Sequence, residues 1–228
     1  MCSIGASKEA NKFVFLGLAL LSFVVFFLEI LVLLIGSLFR GDANLWELPS
    51  ALIVHWVCTI VFWCLGFFAL HVLAKKSGYD MFAHKDKPKP LNWVFVGIIF
   101  AISIIVSYIS WDMRFKPLAE FIGFVTGHGD IGILLFVFQY IYILAESALI
   151  LATVIFGQEF GERAFKNKAM PWGGIFCGLT WGLVHILTQD LFTGILGAVV
   201  AAAYGAVFLL LRKNIRYAYI VIALMFMI

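Results

Sequence analysis

The chain has 228 residues, 64% of them hydrophobic and only 13% charged, with a mean hydropathy of +1.05 and a formal net charge of +3. Soluble domains carry roughly 45–50% apolar and about 25% charged residues, so a water-soluble fold is excluded, and the small positive excess is no nucleic-acid surface. Lipid must cover the outside instead, which predicts an all-α fold: a polytopic transmembrane helical bundle forming one domain over residues 1–228, with the lipid bilayer as its first partner.

Crossing a hydrocarbon core of about 30 Å takes about 20 apolar helical residues. Laid along the chain, that ruler finds about seven spans, at 13–39, 49–74, 91–111, 131–157, 172–187, 192–211 and 215–228. The first is too long, and lacks the small-residue cleavage site, for a signal peptide. The last is short of a full crossing. If the spans alternate sides, one side collects Lys8, Lys12, Lys75, Lys76, Lys85, Lys87, Lys89, Arg163, Lys166, Lys168, Arg212, Lys213 and Arg216, and the other only Arg40, Arg114 and Lys116. Cytoplasmic loops carry the excess of Lys and Arg, which predicts a cytoplasmic N-terminus and an outside C-terminus. The basic loop from Lys75 to Pro90 is expected against anionic headgroups. The apolar stretch Phe115–Val125, too short to cross, is expected to lie at the interface or re-enter.

The four cysteines, Cys2, Cys58, Cys64 and Cys177, have neither CxxC nor Cys/His ligand spacing, so no metal or other cofactor is called for. The three within apolar runs read as small core residues. Cys2 reads as unmodified, because a lipobox cysteine follows a cleavable apolar segment and here the apolar run comes later.

Ionisable groups inside lipid are costly and mark candidate sites. Glu29 in the first span and His55 and His71 in the second read as packed or interfacial groups. In the fourth span Gln139, Glu146 and Thr153 recur every seven residues, on one helical face with Tyr142 beside them. That stripe must meet other protein or a polar cavity. At the end of the same helix Glu159 and Arg163, four apart, share a face and can pair, with Gln158 and Glu162 alongside. The fifth span carries Trp181 and, one turn on, His185, followed by Gln189 and Asp190. A carboxylate and an imidazole on adjacent helices could together bind and deprotonate a water, the requirement for peptide hydrolysis without a metal.

The order Gln158-Glu159-x-x-x-Arg163, then Trp181-x-x-x-His185, then the glycine-rich run from Gly194-Ile195-Leu196-Gly197 to Tyr204-Gly205 resembles the CPBP family, the CAAX-processing and bacteriocin-immunity type of glutamic intramembrane protease. The resemblance covers residues 130–228, which would form a CPBP-like core. It implies a membrane peptide or protein as substrate or partner, with Gln158 and Glu159 at the paired-Glu positions, Arg163 at the Arg and His185 at the first His. The chain departs from the pattern in three places. Gln158 replaces an acid and cannot serve as a base, Trp181 replaces Phe, and 215–228 lacks the His and Asn of the last motif. The resemblance leaves two expectations: hydrolysis with Glu159 or Glu146 as base beside His185, or a catalytically impaired homologue acting as membrane scaffold or regulator. The residues by themselves leave two more: a small-molecule transporter lined by Gln139, Glu146, Thr153, His185 and Asp190, or a purely structural bundle in which Glu159–Arg163 is a helix-end salt bridge and His185 a satisfied core residue.

Overall fold

The computed structural model describes residues 11–41, 43–84 and 86–228. The readings made on Cys2, Lys8 and Lys85 lie outside the described residues. The described chain is helical: α1 Lys12–Phe26, α2 Leu28–Arg40, α3 Pro49–Lys76, α4 Pro90–Ser110, α5 Lys116–His128, α6 Ile131–Phe165, α7 Trp172–Cys177, α8 Leu183–Thr188, α9 Leu191–Leu210 and α10 Ile215–Met227. A 3-10 turn, Leu45–Glu47, precedes α3, and a π turn, Gly178–Gly182, joins α7 to α8. No strand occurs among the described residues.

Starts follow local rules. Asn11, Asp190 and Asn214 cap α1, α9 and α10 by accepting backbone N–H groups of the first turn. Proline opens α3, α4 and α5, where its missing N–H costs nothing. α1 and α2 are one rod interrupted at Phe27, whose N–H reaches Val24 and Val25.

Among the described residues five helices are long and apolar enough to cross a bilayer: Lys12–Arg40, Pro49–Lys76, Pro90–Ser110, Ile131–Phe165 and Leu191–Leu210. The chain is a multi-pass membrane protein. α4 shows why most directly. Val94, Ile98, Ile102, Ile105 and Ile109 are each at least half exposed and form one outward stripe, while Val96 alone is buried. In water that arrangement would be inside out; in lipid it is the stable one.

Two predicted spans take another form. Residues 172–188 make a 17-residue rod broken by the π turn, and α10 is 13 residues long. The fourth span runs past Gly157 without a break to Phe165. The stretch from Phe115 becomes α5, a short helix folded back on α6. Gly129 (φ +62°) makes the turn, and a Cβ on Gly132 would strike the Phe124 carbonyl. Cys177 and, partly, Cys58 are buried, but Cys64 is exposed on the lipid side of α3, so it is no core residue.

α6 is the axis of the bundle, packed by α1, α3, α5, α7 and α10. Every residue from Leu149 to Glu159 is buried. The polar stripe on α6 finds a different partner at each level. Gln139 donates to Glu120 of α5 (3.0 Å), Tyr142 donates to Glu29 of α2 (2.8 Å), Glu146 accepts from Trp181 (3.0 Å) and Thr153 shares a hydrogen bond with Ser22 of α1 (2.9 Å). The 77–89 loop does not simply lie outside the bundle. Met81 is buried, and Tyr79 packs edge-on against Phe15 and Phe156. Burial first, then the Glu159 and Glu162 carboxylates, push the Tyr79 hydroxyl above the usual tyrosine range.

Candidate functional site

The register between α6 and the returning rod decides which residues can meet. Phe165 stacks on Trp172 at 4.3 Å, and the Trp172 indole N–H closes the turn on the Asn167 carbonyl (2.9 Å). Below the turn, Gly161 lies against Trp172 and Gly157 against Phe176. Glu159 is therefore level with about Gly174, and His185 lies eleven residues further on, about 16 Å along the axis. Glu159 and His185 are not brought together. The expectation of one water shared between them is corrected by the antiparallel register, which sets Glu159 near the turn and His185 near the far end of the returning rod.

What gathers at the Glu159 end is an ion network. Arg163 Nη2 is 3.4 Å from Glu159 Oε2, Lys213 Nζ is 3.1 Å from Glu159 Oε1, and the same ammonium is 2.7 Å from Glu162 Oε2. Gln158, fully buried, donates to Glu162 (2.7 Å) and the Met170 carbonyl (3.0 Å) and accepts the Gly173 N–H (3.0 Å). The amide at 158 thus clasps the end of α6 to the start of α7, a double role that a carboxylate could not fill, since it lacks donors. Glu162 is part of this network and lines no cavity among those described. Arg212 and Lys213 both hold positive φ (57° and 59°), which aims Arg212 at Asp86 (2.9 Å) and Lys213 at the two glutamates. Such left-handed residues persist only where the surroundings hold them.

The imidazole belongs to a second cluster. Trp181, 6% exposed, donates its indole N–H to Glu146, and its own carbonyl lies 2.8 Å from His185 Nδ1. A carbonyl only accepts, so Nδ1 carries the hydrogen and Nε2 of the neutral ring is the acceptor. The two rings meet edge-on at 4.8 Å. One tryptophan thus joins the Glu146 carboxylate to the His185 imidazole. The π turn lies in this segment; such turns recur at functional sites.

Trp181 and His185 line a groove of about 600 Å3 between α4, α8, α9 and α10, apolar for most of its length, with Ser107, Lys116, Gln189 and Thr193 as polar lining. Lys116 Nζ donates to the Phe226 carbonyl (2.9 Å). Burial pushes this ammonium below the usual lysine range, against the pull of Glu120 and Glu146. Asp190 is not in the groove. It is exposed and caps α9, where the Thr193 N–H and hydroxyl hold its carboxyl below the usual range. His71, too, stands apart, edge-on to Phe82.

Several residues that build these clusters carried no functional reading in the sequence. Lys213 counted only towards charge asymmetry, and Glu120 was passed over. A third omission had a readable signal: Gly174, Gly178 and Gly182 recur every four residues, the small-residue spacing of tight membrane helix pairs. They press on Ala198, Ala201, Ala202 and Gly205 of α9, backbone against backbone, and so set the depth of Trp181 and His185.

No family model matches the chain, and neither does any curated protein or any solved structure. Among the described residues no group of three or more His, Cys, Asp or Glu is placed to hold a metal ion.

Proposed function

We propose that this chain is a divergent, catalytically impaired CPBP-type membrane protein that receives a membrane-embedded peptide segment in the groove at Trp181 and His185 and does not hydrolyse it. The observation that carries this reading is the separation of the acid from the imidazole. Glu159 is held by Lys213 and Arg163 at one end of α6, about 16 Å in axial height from His185. Glu146, nearer in level, has an oxygen engaged by the Trp181 indole, and Trp181 rather than Glu146 faces the groove. The groove supports peptide binding through its apolar walls and scattered hydroxyl, amide and imidazole groups, the pattern of a ligand site.

The test uses the full chain in phosphatidylcholine liposomes with a fluorogenic transmembrane peptide. No cleavage above protein-free liposomes is expected. A photoreactive version of the peptide should cross-link to α4 or α9, at least fivefold less in a Thr193→Trp variant that fills the groove. Cleavage abolished by both Glu146→Gln and His185→Ala, or by Glu159→Gln, would overturn the proposal in favour of a hydrolase. Absence of cross-linking would remove the peptide-binding reading.

The same reading has seven crossings and a cytoplasmic N-terminus. Its support is that α10, though short, starts where Asn214 donates to the Asp86 carbonyl (3.2 Å) and ends where Lys116 and Tyr140 donate to the Phe226 and Met227 carbonyls. These anchors tie its two ends to opposite ends of the bundle. In a cysteine-free background, cysteines at Lys87 and Arg114 should label from opposite faces of sealed vesicles, Lys87→Cys from the cytoplasmic one. Labelling of both from one face would refute the topology.

A further inference from the structure

A second cavity, of about 590 Å3, lies between α2, α3 and α6 and shares no lining residue with the Trp181–His185 groove. Its chemistry is set by groups that the fold leaves unmatched. Glu29 Oε1 accepts from the Tyr142 hydroxyl at 2.8 Å and lies 3.4 Å from His55 Nε2. A carboxylate accepts only, so Nε2 carries the hydrogen. His55 is 7% exposed, and its Nδ1 has no hydrogen-bond partner among the described residues. Gln139 gives its amide N–H to Glu120 and leaves its Oε1 buried and likewise unpartnered. At this end the Tyr142 and His55 donors are spent on Glu29, and the Glu29 carboxylate, its side chain 35% exposed, is the acceptor that reaches the cavity.

The other end is the reverse. Arg40 lines the same cavity with its Nε buried and unpartnered among the described residues. A Cβ on Gly36 would lie 2.8 Å from Arg40 Nη1, so the guanidinium folds back along α2 towards Glu29. Gly36 is seven residues from Glu29, about 10 Å along the helix, and no ion pair joins Arg40 to Glu29 among the described residues. Charges at low dielectric need counter-charges. A ligand of one sign would match one end and oppose the other, whereas a molecule carrying both matches the two at once.

We propose that this cavity binds a small zwitterion, with a primary ammonium on Glu29 and its anionic group on Arg40. Trp46 and Trp56 in the cavity lining supply the aromatic faces that favour an ammonium. A lipid headgroup and a free solute can carry this same chemistry.

The experiment places the full chain in phosphatidylcholine nanodiscs and titrates O-phosphoethanolamine by equilibrium binding. Saturable binding of one molecule per chain is expected. Phosphocholine, whose ammonium has no N–H, and ethanolamine, which lacks the anion, should each bind at least tenfold more weakly. Glu29→Gln and Arg40→Gln should each weaken binding at least tenfold. Arg40→Gln, at the rim, is checked for an unchanged thermal midpoint, and the ligand comparison on the unaltered chain needs no variant. If replacing half the lipid by phosphatidylethanolamine suppresses binding of the probe, the occupant is a lipid headgroup; if it does not, the occupant is a soluble zwitterion. The proposal is overturned by absence of saturable binding in phosphatidylcholine together with no retention of phosphatidylethanolamine on purification, by equal affinity for phosphocholine, or by binding indifferent to Arg40→Gln in a folded chain.

Discussion

A Lys213→Met variant is expected to lose about 3–5 kcal/mol of stability, the usual cost of stranding buried charge by removing one partner. The Lys213 ammonium serves two carboxylates, and the side chains of Glu159 and Glu162 are 10% and 8% exposed. Without it Glu159 keeps Arg163 and Glu162 keeps the Gln158 amide, while the net charge of the pocket shifts by one unit. For a chain of this size, at about 2–4 °C per kcal/mol, the thermal midpoint in nanodiscs should fall on the order of 10 °C. Adding Glu162→Gln, which removes one stranded charge while keeping the shape, should recover at least half of the loss. A midpoint unchanged by Lys213→Met would mean that water screens the network and that it contributes as little as a surface pair.

Gly174→Leu should be at least as damaging, for a steric reason. A Cβ at 174 would stand 2.6 Å from the Ala201 carbonyl oxygen and 2.9 Å from Ala202 Cα, both backbone atoms that no rotamer change can move. The opposing Gly205 leaves no room either, since its own Cβ would strike the Gly174 backbone. Even Gly174→Ala is expected to cost about 1–3 kcal/mol as overpacking, and the leucine should prevent α7 from seating on α9. Gly97→Ala is the matched control. Nothing lies within 4 Å of a Cβ there, and alanine in a helix is favoured over glycine by about 1 kcal/mol. Equal midpoints for Gly174→Ala and Gly97→Ala would refute the close seam. A seam that shifts should also alter the peptide cross-linking described above, because Trp181 and His185 ride on the same rod.

The candidate site is partly legible in the sequence. The Glu159–Arg163 pair lies four residues apart on one helix, where local geometry alone brings the side chains together. The Gln139–Glu146–Thr153 stripe had to face protein because lipid could not solvate it. The pairing of Glu159 with His185 failed for an identifiable reason: the order of motifs carries no height, and in the antiparallel pair Glu159 stands near the turn, where Gly157 and Gly161 meet Phe176 and Trp172, while His185 lies near the far end of the returning rod.

The sequence by itself determined the environment, the helical class and the position of the long crossings, because a slab of hydrocarbon imposes one length and one polarity on every segment independently of the others. It also marked the costly polar residues. Only the tertiary structure decided their partners: Trp181 for Glu146, Lys213 for Glu159 and Glu162, Glu29 for Tyr142 and His55. Those choices depend on the registers between helices distant in the chain, which are set by turn positions and by glycine-to-backbone contacts whose spacing marks a tight face without naming the helix it meets.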